Sequence, residues 1–547
     1  MRHSSLFLKL IEKRGLSEDF LDPKYENLAS PFLLPDMRNA VARIEQAIKE
    51  DKKILIYGDY DVDGVTATAI LHETLRLARC NMNNVLTMLP NRFVDGYGMS
   101  EKVVSRAKAE GVQLVITVDC GSNNNEIIDE LLAAEVDVVV TDHHEVMGEL
   151  PKTLVVNPKR TDMAVEGELK NLCGAGVAFE LARALVIKGK IPAGQEKWLL
   201  DLAMIGTICD SMELVDENRI ICKFGMIVLS KTRRVGLKEL MRVARVKKID
   251  ADAIGFQIGP RLNAAGRMES AELALRLLLT NSPVEATMLA EELDRLNSER
   301  KRQQQAAVAE TEREITDEPV IVVSGKWHEG IVGIIAGNLT EKYKKPSFVL
   351  TEATVAPSSS STDTVLKGSG RSFGEFDLAE AIRECRDLLV AGGGHAEACG
   401  IKLEKEKLAD FTELVNKYYK SLGLKNQERF LEKQPDLRIG KIASLSLDFM
   451  NELEVLQPFG NGNPEPLILL LEVRVEFADR MGRNGEHLKL TVCDSVNKRM
   501  RLIAFGAPEE WLAVSSGQTV SVLIQPMINE WNGVSEIEGR IIKISQA

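Results

Sequence analysis

The sequence predicts a multidomain α/β protein, and three observations carry that prediction. Near-continuous Val/Ile/Leu runs at Ile54–Tyr57, Asn84–Leu89, Leu114–Val118, Val136–Val140 and Leu154–Val156 alternate with helical stretches, the pattern of a parallel sheet covered on both faces. A long polar stretch without helix breakers lies between Leu278 and Ile315 and reads as a linking helix. Beyond Pro466 the pattern turns to short strands separated by turn signals, as in a small barrel.

Size and composition agree with this division. At 547 residues the chain exceeds what one core supports, so two to four domains are expected. Apolar content of 44% and charge of 27% are ordinary for a globular protein. A net charge of −12 gives no global attraction to polyanions, although a local basic groove or bound metal ions would suffice. The eight cysteines are scattered without a Cys-x-x-Cys pair, which fits buried thiols in a reducing compartment rather than disulfides or zinc. Neither a signal-peptide pattern nor an apolar run of membrane-spanning length is present, and a cytoplasmic location is expected.

In chain order, residues 1–49 read as a helical arm, irregular around Pro23, Pro31 and Pro35, with helical spacing over Met37–Lys49. Residues 50–284 hold the parallel sheet, with helices at Glu101–Glu110 and Asn125–Glu135 between strands. Residues 285–317 form the linking helix, whose Ser298–Ala306 part reads as a solvated face. A smaller α/β domain spans 318–425, with strands at Pro319–Val323 and Ser347–Leu350 and a helix over Ile331–Tyr343. Its Thr354–Asp363 stretch reads as a flexible Ser/Thr loop, and its Gly368–Ser372 and Gly392–His395 stretches as glycine turns. Residues 426–547 form the barrel, where Phe477, Phe505, Trp511 and Trp531 are the candidate stacking surfaces and each is read as core ahead of that.

The chemistry is concentrated where the strands end. Ile54–Tyr57 leads into Gly58-Asp59-Tyr-Asp61-Val-Asp63-Gly64, followed by a helix expected to start at Val65. Three crowded carboxylates repel unless a cation sits among them, and oxygen ligands suit Mg²⁺ or Mn²⁺. An Asp-rich turn capping the helix is the alternative reading. Asp119-Cys-Gly-Ser follows the third strand and Thr141-Asp142-His143-His144 the fourth. Ligands bind beyond the carboxyl ends of parallel strands, so these groups together predict a metal site. Farther on, Asp201–Asp210 reads as an apolar helix with a carboxylate at its far end, a costly placement unless that charge meets a cation.

Asp59–Gly64, Val118–Gly121, Thr141–His144 and Gly206–Asp210 resemble, in order and spacing, the metal-site motifs of the DHH phosphoesterase superfamily. Asn91–Gly98, Cys173–Phe179, Gly259–Arg267, Trp327–Gly330, Gly368–Ser372, Gly392–Ala396 and Pro458–Pro464 narrow the resemblance to the superfamily's bacterial single-strand-specific 5′→3′ DNA exonucleases. The likeness covers about residues 50 to 470. Cys209 stands where the family often has Ala, and Ser122 where Ile is usual; neither change touches a ligand.

The resemblance implies a DHH domain, a DHH-associated domain and an oligonucleotide-binding (OB-like) barrel that holds single strands. It implies that Asp61, Asp63, Asp119, His143 and Asp210 hold two divalent cations, Mn²⁺ or Mg²⁺, with Asp119 as the bridge. His144 and Asp142 fall to catalysis, His144 touching the scissile phosphate or supporting proton transfer, while Asp59 stands behind the ligands with Asp142 as a second candidate to orient ligands or water. Ser369, Arg371 and His395 would contact phosphate, with Arg92, Arg261 and Arg267 facing the same end. The implied reaction is release of 5′-mononucleotides from single-stranded DNA in recombination and repair, by a monomer working with a RecQ-type helicase and a single-strand-binding protein. Two other readings stand beside it: a phosphoesterase acting on short oligonucleotides or cyclic dinucleotides, and an inactive replication scaffold.

Overall fold

The computed structural model describes residues 3–96, 98–163, 165, 168–352, 364–424, 433–531 and 533–546. The Ser/Thr loop expected at 354–363 lies outside the described residues. The chain divides into two compact units, one of Ser30–Asp210 with Gly225–Glu432, the other of Met1–Ala29, Ser211–Phe224 and Lys433–Ala547.

The first unit begins with the predicted parallel sheet: β1 (Ile54–Tyr57), β2 (Val85–Met88), β3 (Leu114–Val118), β4 (Asp137–Thr141) and β5 (Leu154–Val156). The order is β2-β1-β3-β4-β5 and every pairing is parallel. β1 and β3 are buried at every residue, which is why they read as unbroken apolar runs. One face packs Val103, Val104, Ile128 and Leu131 from the helices Glu101–Glu110 and Asn125–Ala133 onto Leu55, Val115 and Val138. The chain leaves β1 for β2 on one side and returns to β3 on the other, so a crevice opens at the carboxyl ends of β1 and β3.

The helix after β1 spans Val62–Leu77 and starts three residues before the expected Val65. Asp61 is its N-cap, with Oδ1 accepting the Gly64 N–H at 3.1 Å. The helix-cap reading and the metal reading of this stretch are compatible, because one carboxylate oxygen caps while the other stays available. Leu200–Cys209 forms the expected apolar helix, with Asp210 at its C-cap.

The linking helix runs over Pro283–Thr311, capped by Ser282 with Pro283 in its first turn. It is not solvated along its first half: Ala286, Leu289, Ala290, Leu293, Leu296 and Asn297 are buried, and Ala307 joins the core of the second lobe. That lobe is a mixed sheet of β6 (Ile321–Gly325), β7 (Ser347–Glu352), β8 (Val365–Arg371), β9 (Ala391–Gly394) and β10 (Ala398–Glu404) in the order β6-β7-β8-β10-β9. The two glycine stretches expected as turns are therefore strands. Gly368 and Gly370 sit in the sheet because a Cβ there would meet Leu350 at 2.6 Å and Cys399 Sγ at 2.5 Å.

The second unit is built on β11 (Leu437–Ile439), β12 (Ile468–Met481), β13 (His487–Cys493), β14 (Arg499–Ala504), β15 (Thr519–Trp531) and β16 (Val534–Gln546). Its sheet runs β11-β12-β13-β14-β16-β15, and β15 returns to pair with β12, closing the barrel. The N-terminal arm is not one element. The helix Ser5–Arg14 places Phe7 and Leu10 in the barrel's core, and Arg14 grips Asp436 with two bonds of 2.7 and 2.8 Å, whereas Met37–Lys49 belongs to the first unit. Buried Arg219 donates to the carbonyls of Phe20, Leu456 and Val455 and stacks on Phe20 at 3.7 Å.

Phe477 and Phe505 are 60% and 68% exposed, contrary to the expected core positions. A bulge between Val475 and Phe477 shifts the alternation of β12, which turns Phe477 outward. Trp511 packs partly buried against the barrel core. Among the described residues no helix is long and apolar enough to cross a membrane.

Candidate metal centre and anion site

The ends of β1, β3 and β4 and the C-cap of the Leu200–Cys209 helix deliver one cluster of acids and imidazole. Asp119 leaves β3 with φ 61°, a left-handed conformation that non-glycine residues hold only where the surroundings enforce it. The N-terminus of the helix Gly174–Ile187 abuts it closely, since a Cβ on Gly174 would lie 2.5 Å from Asp119 Cβ. The same helix end orients Asp63, whose Oδ2 accepts Gly174 N–H at 2.6 Å and Oδ1 accepts Ala175 N–H at 2.9 Å.

His143 Nε2 stands 3.0 Å from Asp119 Oδ1, 3.6 Å from Asp63 Oδ2 and 3.7 Å from Asp210 Oδ2. Asp119 Oδ1 has no hydrogen-bond partner despite that approach, and Asp59 Oδ1 and His143 Nδ1 are likewise buried and unpartnered. Buried polar atoms left unpartnered this close together are groups that a shared cation would satisfy. Three donor groups lie within 4.8 Å among the described residues: Asp63, His143 and Asp210; Asp59, Asp61 and Asp119; and Asp119, His143 and His144. The residues present thus fit divalent cations, with a mixed carboxylate–imidazole set and an all-oxygen set side by side.

Electrostatics point the same way. Burial and then the Asp61 charge push Asp59 up to about 8, and burial with Asp63 and Asp61 does the same for Asp210. Burial and Asp63 raise both Asp61 and Asp119. His143 falls to about 4, because burial outweighs the pull of Asp63, and so it offers a neutral imidazole.

His144 has the opposite character. Its Nδ1 is 2.8 Å from Asp142 Oδ1, which also takes the His143 and His144 N–H groups, while Asp142 Oδ2 takes the Ser122 N–H at 2.9 Å. Burial works against both charges, but their mutual hydrogen bond prevails, holding Asp142 near about 2 and His144 near about 9. Asp142 is therefore fully occupied as a positioning residue. Asp59, expected behind the ligands, lies within ligand range of Asp61 and Asp119, so the geometry admits it as a ligand.

The predicted phosphate contacts separate. Arg92 stacks on Tyr60 at 4.1 Å, with its Nε buried and unpartnered. Arg267 reaches from the first lobe to Gly330 O at 3.2 Å, and Arg371 Nη1 bonds Ser369 Oγ at 3.1 Å and Gly370 O at 2.8 Å. Gly333, at the start of the helix Val332–Tyr343, leaves room for both, its missing Cβ lying 3.2 Å from Ser369 Oγ and 3.3 Å from Arg371 Nη2. His395 is exposed on the β9–β10 connection, where its N–H bonds Ala398 O and Ala398 pairs with Arg371. Arg261 does not join them. It is bound to Asp294 at 2.8 Å and Gln257 O at 2.7 Å, because six residues of helix turn it about 120° away from Arg267. Sequence reasoning missed Tyr60 beneath Arg92 and the edge-on contact of Phe93 with His328 at 5.2 Å. The motifs holding these residues were visible, but nothing in them showed that they meet.

A parallel sheet whose strand ends gather aspartates and histidines beside a second, arginine-bearing lobe defines a DHH-type phosphoesterase. Three family models match in that order: DHH family, N-terminal domain over residues 53–207; DHHA1 domain over 316–421; and RecJ OB domain over 439–543. The single-stranded-DNA-specific exonuclease RecJ of Bacillus subtilis is 35% identical over 96% of this chain and 66% of its own length. RecJ of Thermus thermophilus is 34% identical over 93% of this chain and 71% of its own. The crystal structure of Thermus thermophilus RecJ with Mn²⁺ superposes with a TM-score of 0.83 at 32% identity, covering 98% of this chain and 75% of that one. The form with Mg²⁺ gives 0.77 at 30% identity over 98% and 74%. The chain belongs to the RecJ family of single-stranded-DNA-specific exonucleases, and it spans about two thirds of the length of the Bacillus subtilis relative.

Proposed function

We propose that this chain hydrolyses single-stranded DNA from the 5′ end and releases 5′-mononucleotides. The observation that carries the reading is His143 Nε2 facing Asp119, Asp63 and Asp210, in one unit with Arg92, Arg267 and Arg371. Asp61, Asp63, Asp119, His143 and Asp210 would hold two divalent cations, Mn²⁺ or Mg²⁺, and Asp59, grouped with Asp61 and Asp119, would be a further candidate ligand. Such a pair supplies a nucleophile at neutral pH and neutralises charge on the leaving oxygen. The protein's own groups do the rest. Asp142 fixes His144 at Nδ1 and keeps it charged, so its other nitrogen donates to the scissile phosphate. Arg92, Arg267, Ser369 and Arg371 hold the strand's terminal phosphate, with His395 at the same sheet end.

The barrel disfavours a dinucleotide substrate, which needs no long track, and intact ligands disfavour a scaffold. Recombination and repair, a monomeric and cytoplasmic enzyme, a RecQ-type helicase and a single-strand-binding protein complete the reading. The test gives purified protein 5′- and 3′-labelled single strands, a duplex and a dinucleotide with each metal. Mn²⁺-dependent release of the 5′ label from single strands, abolished in Asp119→Ala, is expected; retained activity in the variant overturns the site.

A further inference from the structure

The stretch from Ser230 to Lys248 carries eight Lys and Arg against a single acid, Glu239, in a chain whose net charge is −12. Its centre is the helix Val235–Ala244, which buries Gly236, Leu237, Leu240 and Ala244. Gly236 seats this helix on the carbonyl oxygen of Leu277, which a Cβ would meet at 1.8 Å. Lys238, Arg242 and Arg245 follow at spacings of four and three on the exposed side, a row about 10 Å long on a fixed element. Lys231 and Arg233 before the helix and Lys247 after it are exposed as well.

Arg242 is compensated, standing 2.7 Å from Glu239 and 3.5 Å from Glu291. Lys231, Lys238, Arg245 and Lys247 have no carboxylate among the described ion pairs, and like charges at helical spacing repel. The helix dipole favours cations in the last turn, which accounts for Arg242 and Arg245, but it opposes them before the first turn, where Lys231 and Arg233 stand. Arg233 is nonetheless held in place, its guanidinium 3.8 Å from the ring centre of half-buried Trp198. Thr232 beside it donates to Asp201 Oδ2 at 2.8 Å, at the start of the helix Leu200–Cys209. That helix is ten residues long, so this end of the basic surface lies about 15 Å from Asp210 at its other end, apart from the metal centre.

We propose, resting on the exonuclease reading above, that this surface holds the phosphate backbone of duplex DNA adjoining the single strand under attack. Backbone contacts need charge and no access to the bases. A track for single strands would offer open aromatic faces, whereas a face of Trp198 is taken by Arg233. Duplex DNA carries one charge per about 1.7 Å of axis, so a row of 10 Å lies along about six of them. A polyanion of that density is drawn to a local patch on a chain that is acidic elsewhere. Anchored on the duplex, the protein stays at the junction while the tail is consumed.

The experiment compares the full wild-type chain with Lys231→Gln/Lys238→Gln/Lys247→Gln and with Lys231→Arg/Lys238→Arg/Lys247→Arg. Degradation with Mn²⁺ is followed on a duplex bearing a 5′ single-stranded tail and on the same tail as a free strand, and binding of a blunt duplex by fluorescence anisotropy. The Gln variant is expected to raise KM on the tailed duplex and Kd for the blunt duplex about tenfold, and to keep KM and kcat on the free strand within about twofold. The slope of log Kd against log salt for the blunt duplex should fall by about 2.7, three phosphate contacts' worth. The Arg variant should keep the wild-type values. An unchanged blunt-duplex Kd in the Gln variant overturns the proposal. Equal loss on the free and tailed strands assigns the surface to single strands and overturns it too, as does an equal loss in the Arg variant. Should the Gln variant unfold at a lower temperature, Lys238→Gln alone decides, with a slope expected to fall by about 0.9. A wild type that binds the blunt duplex through these lysines but releases no nucleotides refutes the exonuclease reading instead, which separates the two failures.

Discussion

Asp142 Oδ1 lies 2.8 Å from His144 Nδ1, and this pair keeps His144 protonated beside a His143 that burial holds neutral. His144 holds its proton to about 9, while burial drops His143 to about 4. Asp142 thereby makes His144 a cationic donor, while burial, helped by the His144 charge, leaves His143 a neutral ligand.

Asp142→Asn removes the charge that holds the His144 proton. The expected result is a fall in kcat of about 10²–10³ near neutral pH, with Mn²⁺ still bound. Wild-type activity should decline on the alkaline side as His144 loses its proton near about 9, and in the variant that limb should move towards the ordinary histidine range. A pH–rate profile whose alkaline limb stays in place would refute the role.

Metal binding should become more stabilising as pH rises. Without metal, Asp59 and Asp210 titrate near about 8 in the fold, against an ordinary value of 3.8. The folded state then binds more protons than the unfolded chain across that interval, so the metal-free protein loses stability as pH rises from about 4 to about 8. A cation replaces those protons. Thermal unfolding with and without Mn²⁺ should show an increment that grows between pH 5 and pH 8; a constant or shrinking increment contradicts the assignment.

Gly174→Ala puts a Cβ 2.5 Å from Asp119 Cβ and 2.6 Å from its Oδ1. The displaced carboxylate should lower Mn²⁺ affinity by about 10–100-fold, read by calorimetric titration. Gly337→Ala is the control: it lies in the helix Val332–Tyr343 with nothing within 4 Å, and should stabilise by about 0.5–1 kcal/mol.

Arg219→Met leaves the carbonyls of Phe20, Leu456 and Val455 without their donor. Denaturant unfolding should show a loss of about 3 kcal/mol or more in the barrel-containing unit. A change under about 0.5 kcal/mol would show that Arg219 is dispensable.

The sheet was legible because strands buried on both faces cannot hide their composition: β1 and β3 fall at the predicted bounds. The acids at their ends were legible because charge after an apolar run has few structural uses. Asp59 was harder to place, since spacing along a strand end does not say which oxygen reaches a neighbouring strand's ligand. Arg261 and Arg267 were read together because a motif names residues without their helical phase, which turns Arg261 towards Asp294. Phe477 was expected inside because a single-residue bulge, invisible in composition, inverts the alternation around it.

The division of the barrel's unit among three separate stretches of chain bears on how the molecule is made. Phe7 and Leu10 leave the ribosome more than four hundred residues before the strands they pack against, which begin at Leu437. At about 5–20 residues per second the amphipathic first helix waits tens of seconds for its core. The parallel sheet and its linking helix can form in that interval, while Phe7 and Leu10 remain apolar surface without their core. Closure of β15 on β12 then ends the wait, so the helix Ser5–Arg14 and strands more than four hundred residues later share one core.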